Sequence, residues 1–112
     1  MFQNDPQAVM VRYHVSETNE AEFQKICADG WQTYLRLGLI RELPHLLLRG
    51  KDETGQPYFL ELVPWKDRAV TGNPPPEVKT IWAQLEAVCE ARPGHRGIEI
   101  PDFQIMHNGA KE

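Results

Sequence analysis

The sequence has no long run of apolar residues, little cysteine and no excess of basic charge. A helix that spans a bilayer needs about 20 consecutive apolar residues, so no transmembrane segment is expected. The first seven residues, MFQNDPQ, lack the basic and apolar regions of a secretory signal peptide, and none is predicted. With a net charge of −4 and a pI of about 5.5, neither nucleic acid nor an anionic membrane surface is an expected partner.

The two cysteines, Cys27 and Cys89, are far apart and belong to no Cys-x-x-Cys pair or Cys/His cluster. A disulfide framework or a structural zinc site would show such spacings. Each cysteine instead lies among apolar residues at helical spacing, which favours packed, reduced thiols over a disulfide. The sequence therefore predicts a cytoplasmic protein.

The composition that remains is typical of a soluble globular protein, with 41% hydrophobic and 25% charged residues. A chain of 112 residues can bury one hydrophobic core without help from a metal or from disulfides. We therefore predict a single domain over 1–112, with an ordered core of about 7–107.

The first part of the chain changes from a strand pattern to a helix pattern. Residues 8–15 read AVMVRYHV, and every second residue from Val9 faces one side, which is the period of a strand. Asn19 and Glu22 then have the spacing of a helix capping box. Apolar residues at three- and four-residue spacing follow, and they predict a helix that ends near Gly38. Its apolar face consists of Phe23, Ile26, Cys27, Gly30, Trp31, Tyr34 and Leu35.

The middle of the chain has a hairpin pattern followed by a second helix pattern. Two apolar runs, 44–50 and 58–64, flank the turn residues KDETGQP and predict a β-hairpin. A loop with three consecutive prolines follows, in which Asn73 is a suitable N-cap for a helix that runs to about Arg92. The apolar face of this helix is predicted to be Val78, Ile81, Trp82, Leu85, Val88 and Cys89.

The last predicted element is a strand in the segment IEIPDFQIM, where Pro101 interrupts the pattern before Phe103 and Ile105. The complete order is β-α-β-β-α-β. It predicts an α+β, ferredoxin-like fold with a four-stranded antiparallel sheet and two helices on one face. The other sheet face would be apolar and exposed in a monomer, and such faces usually mark interfaces. A homodimer, sheet face toward sheet face, follows from this arrangement.

The second strand of the hairpin carries a short motif. Phe59, Glu61 and Trp65 form the pattern Phe-x-Glu-x-x-x-Trp, and Asp67 stands just beyond it. With this motif and its element order, nearly the whole chain resembles the dimeric α+β barrel proteins, and within them the antibiotic-biosynthesis-monooxygenase (ABM) group. That resemblance implies a homodimeric α+β barrel. Members of the group include cofactor-free oxygenases of aromatic polyketides, haem-degrading enzymes, autoinducer-processing enzymes and proteins without known activity.

Haem is not an expected cofactor, because two positions depart from the haem-degrading members of this group. Their haem iron is ligated by a histidine on the second helix, whereas the corresponding stretch here, NPPPEVKTIW, contains none. Their first strand supplies an asparagine, whereas this strand offers Arg12 and His14. The sequence therefore predicts no cofactor.

Five residues are candidate walls of a pocket between the sheet and its helices. Trp31, Tyr34 and Trp82 lie on the predicted apolar helix faces, where they either stack on an aromatic ligand or fill the core. Trp65 is a pocket residue or an anchor at the end of its strand. His45, which lies among leucines on the second strand, completes the candidates.

His14 and Arg12 are the candidate catalytic pair. They share one face of the first strand, about 6.5–7 Å apart. An imidazole can act as a general base near neutral pH, and a guanidinium can hold the resulting oxyanion. A cofactor-free oxygenase needs this chemistry, because its substrate must become a carbanion or phenolate before it reacts with oxygen. The alternative is a polar pair at the sheet edge or at the dimer seam.

Glu61 is the third catalytic candidate, and its strand predicts that it is buried. Apolar residues occupy both faces of 58–65, so the carboxylate needs a partner that pairs or hydrogen-bonds with it. Arg12, Arg49 or a histidine can supply that partner. Glu61 is then either a structural residue of an ion pair or dimer seam, or a group that orients or activates a substrate.

His14, His45 and Glu61 also form a set of two histidines and one carboxylate, which is a known ligand set for divalent metals. No spacing signature supports such a site, because the three residues come from different strands, and no metal is predicted. His95, in a loop, and His107, near the end of the sequence, are expected to be solvated.

These residues favour a small-molecule pocket of the ABM type. The protein is then a cofactor-independent monooxygenase, or a related enzyme, that acts on a small aromatic or polyketide-like compound. The alternative is a non-enzymatic small-ligand-binding or stress-associated homodimer. A filled core without a pocket near His14 would favour this alternative.

Overall fold

A four-stranded antiparallel sheet organises the computed structural model, which describes residues 8–101. The strands stand in the order β2-β3-β1-β4, so that the first and last strands are neighbours, as the ferredoxin-like arrangement requires. The predicted α+β, ferredoxin-like fold is therefore confirmed. The strands are β1 (Ala8–His14), β2 (Leu46–Lys51), β3 (Pro57–Pro64) and β4 (Ile98–Glu99).

The first helix, α1 (Glu20–Arg36), buries the face that its spacing predicts. Asn19 occupies the N-cap position, as predicted, but its side chain makes no cap hydrogen bond, so the capping box itself is wrong. A 3₁₀ turn at Glu17–Asn19 precedes the helix, and the Asn19 amide donates to the carbonyl of Val88 at 3.4 Å. The helix ends before Gly38, whose φ of 70° suits glycine. The buried residues are Phe23, Ile26, Cys27, Gly30, Trp31 and Tyr34.

The predicted hairpin is confirmed, with small shifts at the strand ends. β2 begins at Leu46, two residues later than expected, and the turn lies between Lys51 and Pro57. The Asp52 carboxylate organises this turn by accepting the Thr54 hydroxyl at 2.6 Å and backbone N–H groups at 2.9 and 3.0 Å. These hydrogen bonds lower the pKa of Asp52 to about 2, and the bond from the Thr54 side chain has the largest effect. Gly55 allows the reversal with a φ of 84°.

The segment after β3 is more helical than the sequence predicts. A short helix, α2 (Ala69–Gly72), occupies the expected loop, and the second long helix, α3 (Pro76–Val88), follows it. Asn73 is not its N-cap. Pro75 is the N-cap, and Pro76 is the first residue of the helix. Proline is tolerated there because the N–H group that it lacks would have no partner within the helix. Within residues 8–101, no helix is both long and apolar enough to cross a membrane.

The helix α3 ends four residues before Arg92, its predicted end. Cys89 has an extended backbone, and the N–H of Glu90 donates to the carbonyl of His14 at 2.9 Å. The Arg92 guanidinium donates to the carbonyl of Pro57 at 2.6 Å. These contacts with β1 and the hairpin satisfy backbone groups that a longer helix would have used, which explains the early end.

The last strand, β4, has only two residues in the part of the chain that is described. It pairs with β1 in antiparallel fashion, which places Glu99 opposite Arg12. The predicted continuation of the strand through Phe103 and Ile105 lies outside the described residues, as does the stretch 102–107 of the predicted core.

Helices α1 and α3 cover one face of the sheet, where the core lies. Tyr13 contacts the ring of Phe23 edge-on with centroids 4.9 Å apart, and Phe59 lies 4.6 Å from the same ring. The two helices approach each other at Gly30, where a Cβ would come within 2.9 Å of Cγ2 of Ile81. Glycine at this position therefore sets the distance between the helices and holds the layer close to the sheet.

The opposite face of the sheet carries no helix within the described ranges, and the part of it formed by β2 and β3 is apolar. Leu46 and Leu48 of β2 stand opposite Leu62 and Leu60 of β3, and Met10 of β1 continues the first of these rows. The side chains of Leu46 and Leu48 remain 43% and 48% exposed. The predicted uncovered face is present, whereas the dimer that would cover it stays a prediction.

Candidate functional site

A cavity of about 310 Å³ lies between the sheet and the helix layer. Three of the predicted pocket residues, Tyr34, Trp65 and Trp82, line it. The wall also includes Val9 and Val11 of β1, which alternate toward the helices. A cavity of this size, with aromatic walls and few polar groups, is typical of small-molecule sites.

Tyr34 supplies a hydrogen-bond donor to this cavity. The indole N–H of Trp82 donates to its hydroxyl oxygen at 2.9 Å, and the ring of Trp65 packs against it with centroids 4.9 Å apart. Because the oxygen accepts this bond, the hydroxyl keeps its own proton for a ligand. Burial, with a contribution from the Glu61 charge, raises the pKa of Tyr34 above its usual value. The hydroxyl is therefore neutral and protonated near pH 7.

Glu61 is buried on the helix-facing side of β3, and both of its oxygens have partners. The Tyr13 hydroxyl donates to Oε1 at 2.7 Å, and Nε2 of His45 lies 2.7 Å from Oε2. The predicted burial is confirmed, and a histidine rather than an arginine is the partner, since Arg49 pairs with Glu20 of α1. Burial, and then the nearby carboxylate, raise the pKa of Tyr13 well above its usual value.

Trp31 and His45 lie behind the cavity rather than in its wall. Their rings stack with centroids 4.2 Å apart and planes 11° from parallel, so Trp31 holds the imidazole against Glu61. Neither residue belongs to the lining of the cavity, whereas Tyr13 does. The expectation that both are pocket residues is therefore corrected: they support the wall through the hydrogen bonds of Glu61 and Tyr13.

The three catalytic candidates do not come together. In the β1–β3 register, His14 stands opposite Tyr58, whereas Glu61 occupies the alternate phase of β3. Because successive side chains of a strand point to opposite faces, His14 and Arg12 lie on the helix-free face and Glu61 lies on the helix side. His14 and Glu61 therefore do not meet in one catalytic site, and the set of His14, His45 and Glu61, for which no metal is predicted, is not assembled. A catalytic role of each stays a prediction.

His14 and Arg12 instead meet Glu99 of β4. Nε2 of His14 lies 2.8 Å from Oε1 of Glu99, and Nη1 of Arg12 lies 3.7 Å from the same oxygen. The Arg12 guanidinium also sits 5.6 Å from the centre of the Tyr58 ring. The hydrogen bond from His14 is the main cause that holds the pKa of Glu99 below its usual value. This polar cluster joins β1, an inner strand, to the edge strand β4.

His95 belongs to the same cluster, which the sequence did not indicate. Its ring centroid lies 4.9 Å from that of His14, and its Nδ1 lies 3.3 Å from Oε2 of Glu99. Its side chain is only 29% exposed, so the expectation of a solvated residue is wrong. The reversal at Gly94, with a φ of 79°, signals the turn that brings His95 back, but the partner depends on the pairing of β4 with β1.

Sequence reasoning also missed Tyr13 as a residue of the cavity. The alternation in 8–15 places it on one strand face with Val9, Val11 and Val15 and indicates no role of its own. The signal was present, because a tyrosine that alternates with valines places a hydroxyl on an apolar face, where it needs a partner. That partner is Glu61.

The sequence matches no known family profile, and no curated protein is significantly similar to it. Among solved structures, the fold is similar to that of a Deinococcus radiodurans protein that carries the provisional name antibiotic biosynthesis monooxygenase. The TM-score is 0.54 and the identity is 15%, over 94% of this chain and 95% of that chain. At this identity the likeness concerns the fold alone. The chain therefore shares the α+β fold of that protein and has an aromatic cavity between its layers.

Proposed function

We propose that the protein binds a small aromatic or polyketide-like compound in this cavity and oxidises it as a cofactor-independent monooxygenase. The observation that carries the proposal is the aromatic cavity in which Tyr34 keeps a proton to donate. The provisional name of the Deinococcus protein with a similar fold supports the same class of activity.

The proposed reaction converts an activated methylene carbon of the substrate into a carbonyl. One atom of O₂ enters that carbon, and the other leaves as water with the two hydrogens of the methylene. This four-electron oxidation balances the four-electron reduction of O₂, so the substrate supplies every electron and no external reductant is consumed. The protein has to stabilise the phenolate or enolate that forms when the substrate loses its first proton.

Tyr34 and Tyr13 take the two roles in this proposal. Tyr34 donates its proton to the oxyanion of the ionised substrate. Tyr13, which lines the cavity and donates to Glu61, begins a chain of hydrogen bonds that continues to His45 and carries away the proton that the substrate loses. These residues replace His14 and Arg12 in the proposed mechanism, because the last two do not line the cavity.

Replacing Tyr34 with phenylalanine is expected to lower the rate of oxygen uptake about 100-fold, as loss of one oxyanion donor does in other enzymes. The measurement is O₂ consumption with a tricyclic anthrone as the probe, corrected for its spontaneous oxidation. Tyr58→Phe is the matched control, since this tyrosine lies on the other sheet face, and it should retain the wild-type rate. If the wild-type protein does not accelerate oxidation of any anthrone or electron-rich phenol, the monooxygenase proposal fails.

A non-enzymatic ligand-binding or stress-associated protein is the second candidate, and one observation favours it. Among described residues, the ionisable groups that line the cavity are Tyr13, Tyr34 and Glu86, and the two tyrosines have raised pKa values. The cavity thus holds donors but lacks a strong base in direct contact with a ligand. Quenching of tryptophan fluorescence by the anthrone without acceleration of oxygen uptake would select this candidate.

We further propose that the protein is a homodimer in which the helix-free sheet faces cover each other. The side chains of Leu46 and Leu48 on this face support the proposal, because both leucines are about half exposed in the monomer. Exposed apolar surface of this kind on a sheet face is a common interface.

The two unpaired cysteines fit a reducing compartment, so the proposed location is the cytoplasm. Fractionation of cells that produce the tagged chain would test it.

Replacing Leu48 with lysine is expected to weaken this dimer at least about 100-fold, because a charge at the centre of an apolar interface is desolvated without a partner. Analytical ultracentrifugation over a range of concentrations measures the change, with twice the chain mass of 12.9 kDa expected for the wild type. Gln24→Lys adds the same charge on an exposed position of α1 and should leave the dimer intact. A wild-type protein that sediments as a monomer at every concentration contradicts the proposal.

A further inference from the structure

His14, His95 and Glu99 form a second site, separate from the cavity. One potential ligand atom from each residue lies within 4.8 Å of the others. In a tetrahedral zinc centre with bonds of about 2.0–2.1 Å, ligand atoms stand roughly 3.3 Å apart. Oε1 of Glu99 lies 2.8 Å from Nε2 of His14, and its other oxygen, Oε2, lies 3.3 Å from Nδ1 of His95. The carboxylate therefore stands between the two imidazoles with one oxygen toward each.

The rigid member of the set is His14, whose position the fold fixes. Its residue is 1% exposed. Its backbone N–H donates to Gly97 at 2.8 Å, and its carbonyl accepts from Glu90 at 2.9 Å. The other two ligands are 25% and 29% exposed and lie on the segment that closes over His14. One pre-positioned imidazole with two adjustable ligands is a suitable framework for a metal that binds after folding.

The imidazole of His14 has a further property that matters for a cation. Its Nδ1 is buried and has no hydrogen-bond partner within residues 8–101. Its Nε2 faces Oε1 of Glu99 at 2.8 Å, with a proton between the two atoms. A divalent cation that binds here displaces this proton, because a histidine ligates a metal through a deprotonated nitrogen.

Space for additional ligands lies next to the set. A cavity of about 260 Å³ borders it and is lined by both histidines, together with Asp52 and Glu53. Two cations, Arg12 and Lys51, line the same cavity, and Arg12 competes for Glu99 at 3.7 Å. The site therefore binds a metal less tightly than a closed four-ligand site, and it keeps at least one coordination position open toward water in the cavity.

From this geometry we infer that His14, His95 and Glu99 bind a divalent transition-metal ion, of the class represented by Zn²⁺ or Fe²⁺. Two imidazole nitrogens exclude Mg²⁺ and Ca²⁺, which prefer oxygen ligands. The site lies on the helix-free side between β1 and the edge strand β4, at the opposite edge of the sheet from the leucines of β2 that support the proposed dimer. It does not depend on the function proposed for the aromatic cavity. It also differs from the set of His14, His45 and Glu61 considered from the sequence, in which only His14 is shared.

Titration of the purified full chain with Co²⁺ tests the inference, because Co²⁺ in a site of this kind gives visible absorption bands that Zn²⁺ abolishes by displacement. We expect one Co²⁺ per chain in the wild type. His95→Gln and Glu99→Gln should each weaken binding at least about 100-fold, since even the loss of an outer partner of a ligand costs 10- to 100-fold. As a second readout, Zn²⁺ should raise the thermal midpoint of the wild type and leave that of Glu99→Gln unchanged.

Two matched controls make the result specific. His45→Gln removes a histidine that also faces a carboxylate at 2.7 Å, and Glu90→Gln removes an exposed carboxylate from the same part of the chain. Both variants should keep the Co²⁺ bands, and the second serves if the first does not fold. Absence of Co²⁺ bands at submillimolar metal in the wild type overturns the inference. Bands of equal strength in His95→Gln and Glu99→Gln overturn it as well, because the metal would then bind elsewhere.

Discussion

Replacing Glu61 with leucine is expected to lower the free energy of unfolding by about 2–6 kcal/mol, because each of its two hydrogen-bond partners loses its acceptor at a cost of about 1–3 kcal/mol. The carboxylate is 2% exposed and accepts the Tyr13 hydroxyl while it pairs with His45. A leucine fills a similar volume but leaves both partners buried without a hydrogen bond. Urea denaturation followed by circular dichroism measures the loss.

Two variants separate this effect from a general cost of mutation. Glu61→Gln keeps an oxygen for Tyr13 and offers an N–H to a bare Nε2 of His45, so it should cost only about 1 kcal/mol. Glu77→Leu changes an exposed glutamate whose side chain is 51% accessible, and it should alter stability by less than about 0.5 kcal/mol. If Glu61→Leu unfolds at the same urea concentration as the wild type, the buried hydrogen-bonded network does not exist as described.

Stability is expected to fall steeply above about pH 10, and this loss is the second largest of the expected effects. Burial is the first cause of a raised pKa for Tyr13, Tyr34 and Cys27, and it raises the pKa of Cys89 to about 12. Groups with raised pKa values contribute full stability below their unfolded pKa values, which are 9.0 for cysteine and 10.0 for tyrosine. Above those values the unfolded chain releases protons that the folded chain retains, so stability falls as the pH rises.

The slope of this loss identifies the groups that cause it. Each group contributes about 1.4 kcal/mol per pH unit, and the four together about 5.5 kcal/mol per unit when all are ionised in the unfolded chain, which is comparable with the whole stability of a small domain. Urea denaturation at several values between pH 8 and 11.5 measures it. Cys27→Ala should make the slope shallower by about 1.4 kcal/mol per unit. Added salt should change the slope little, because it screens surface repulsion but not the cost of burial; a flat profile to pH 11 contradicts the prediction.

The spacing of apolar residues along the sequence predicted much of the fold. The alternation in 8–15 and 58–64 separates the side chains into two faces, and both strands have that separation in the structure. The spacing from Phe23 to Tyr34 predicts the buried face of α1 residue by residue. These features depend on neighbours within one element, so local sequence is sufficient to determine them.

The ends of elements were predicted less well, because distant contacts decide them. Asn19 stands at the N-cap but makes no cap bond, and its amide donates to Val88. The helix α3 stops at Val88, before the backbone of Glu90 meets β1. In both cases the residue at the helix end bonds to a partner more than 60 residues away, and no local pattern contains that information.

For the candidate sites, the sequence by itself determined that Glu61 is buried, because the residues around it are apolar on both faces of the strand. It also determined that His14 and Arg12 share a face. Only the tertiary structure decided that this face is the one without helices, because either phase of a strand can meet the helix layer. It likewise decided that His45 is the partner of Glu61 and that His95 and Glu99 meet His14. Those neighbours depend on strand register and on the path of two loops, which bring together residues that no spacing along the chain connects.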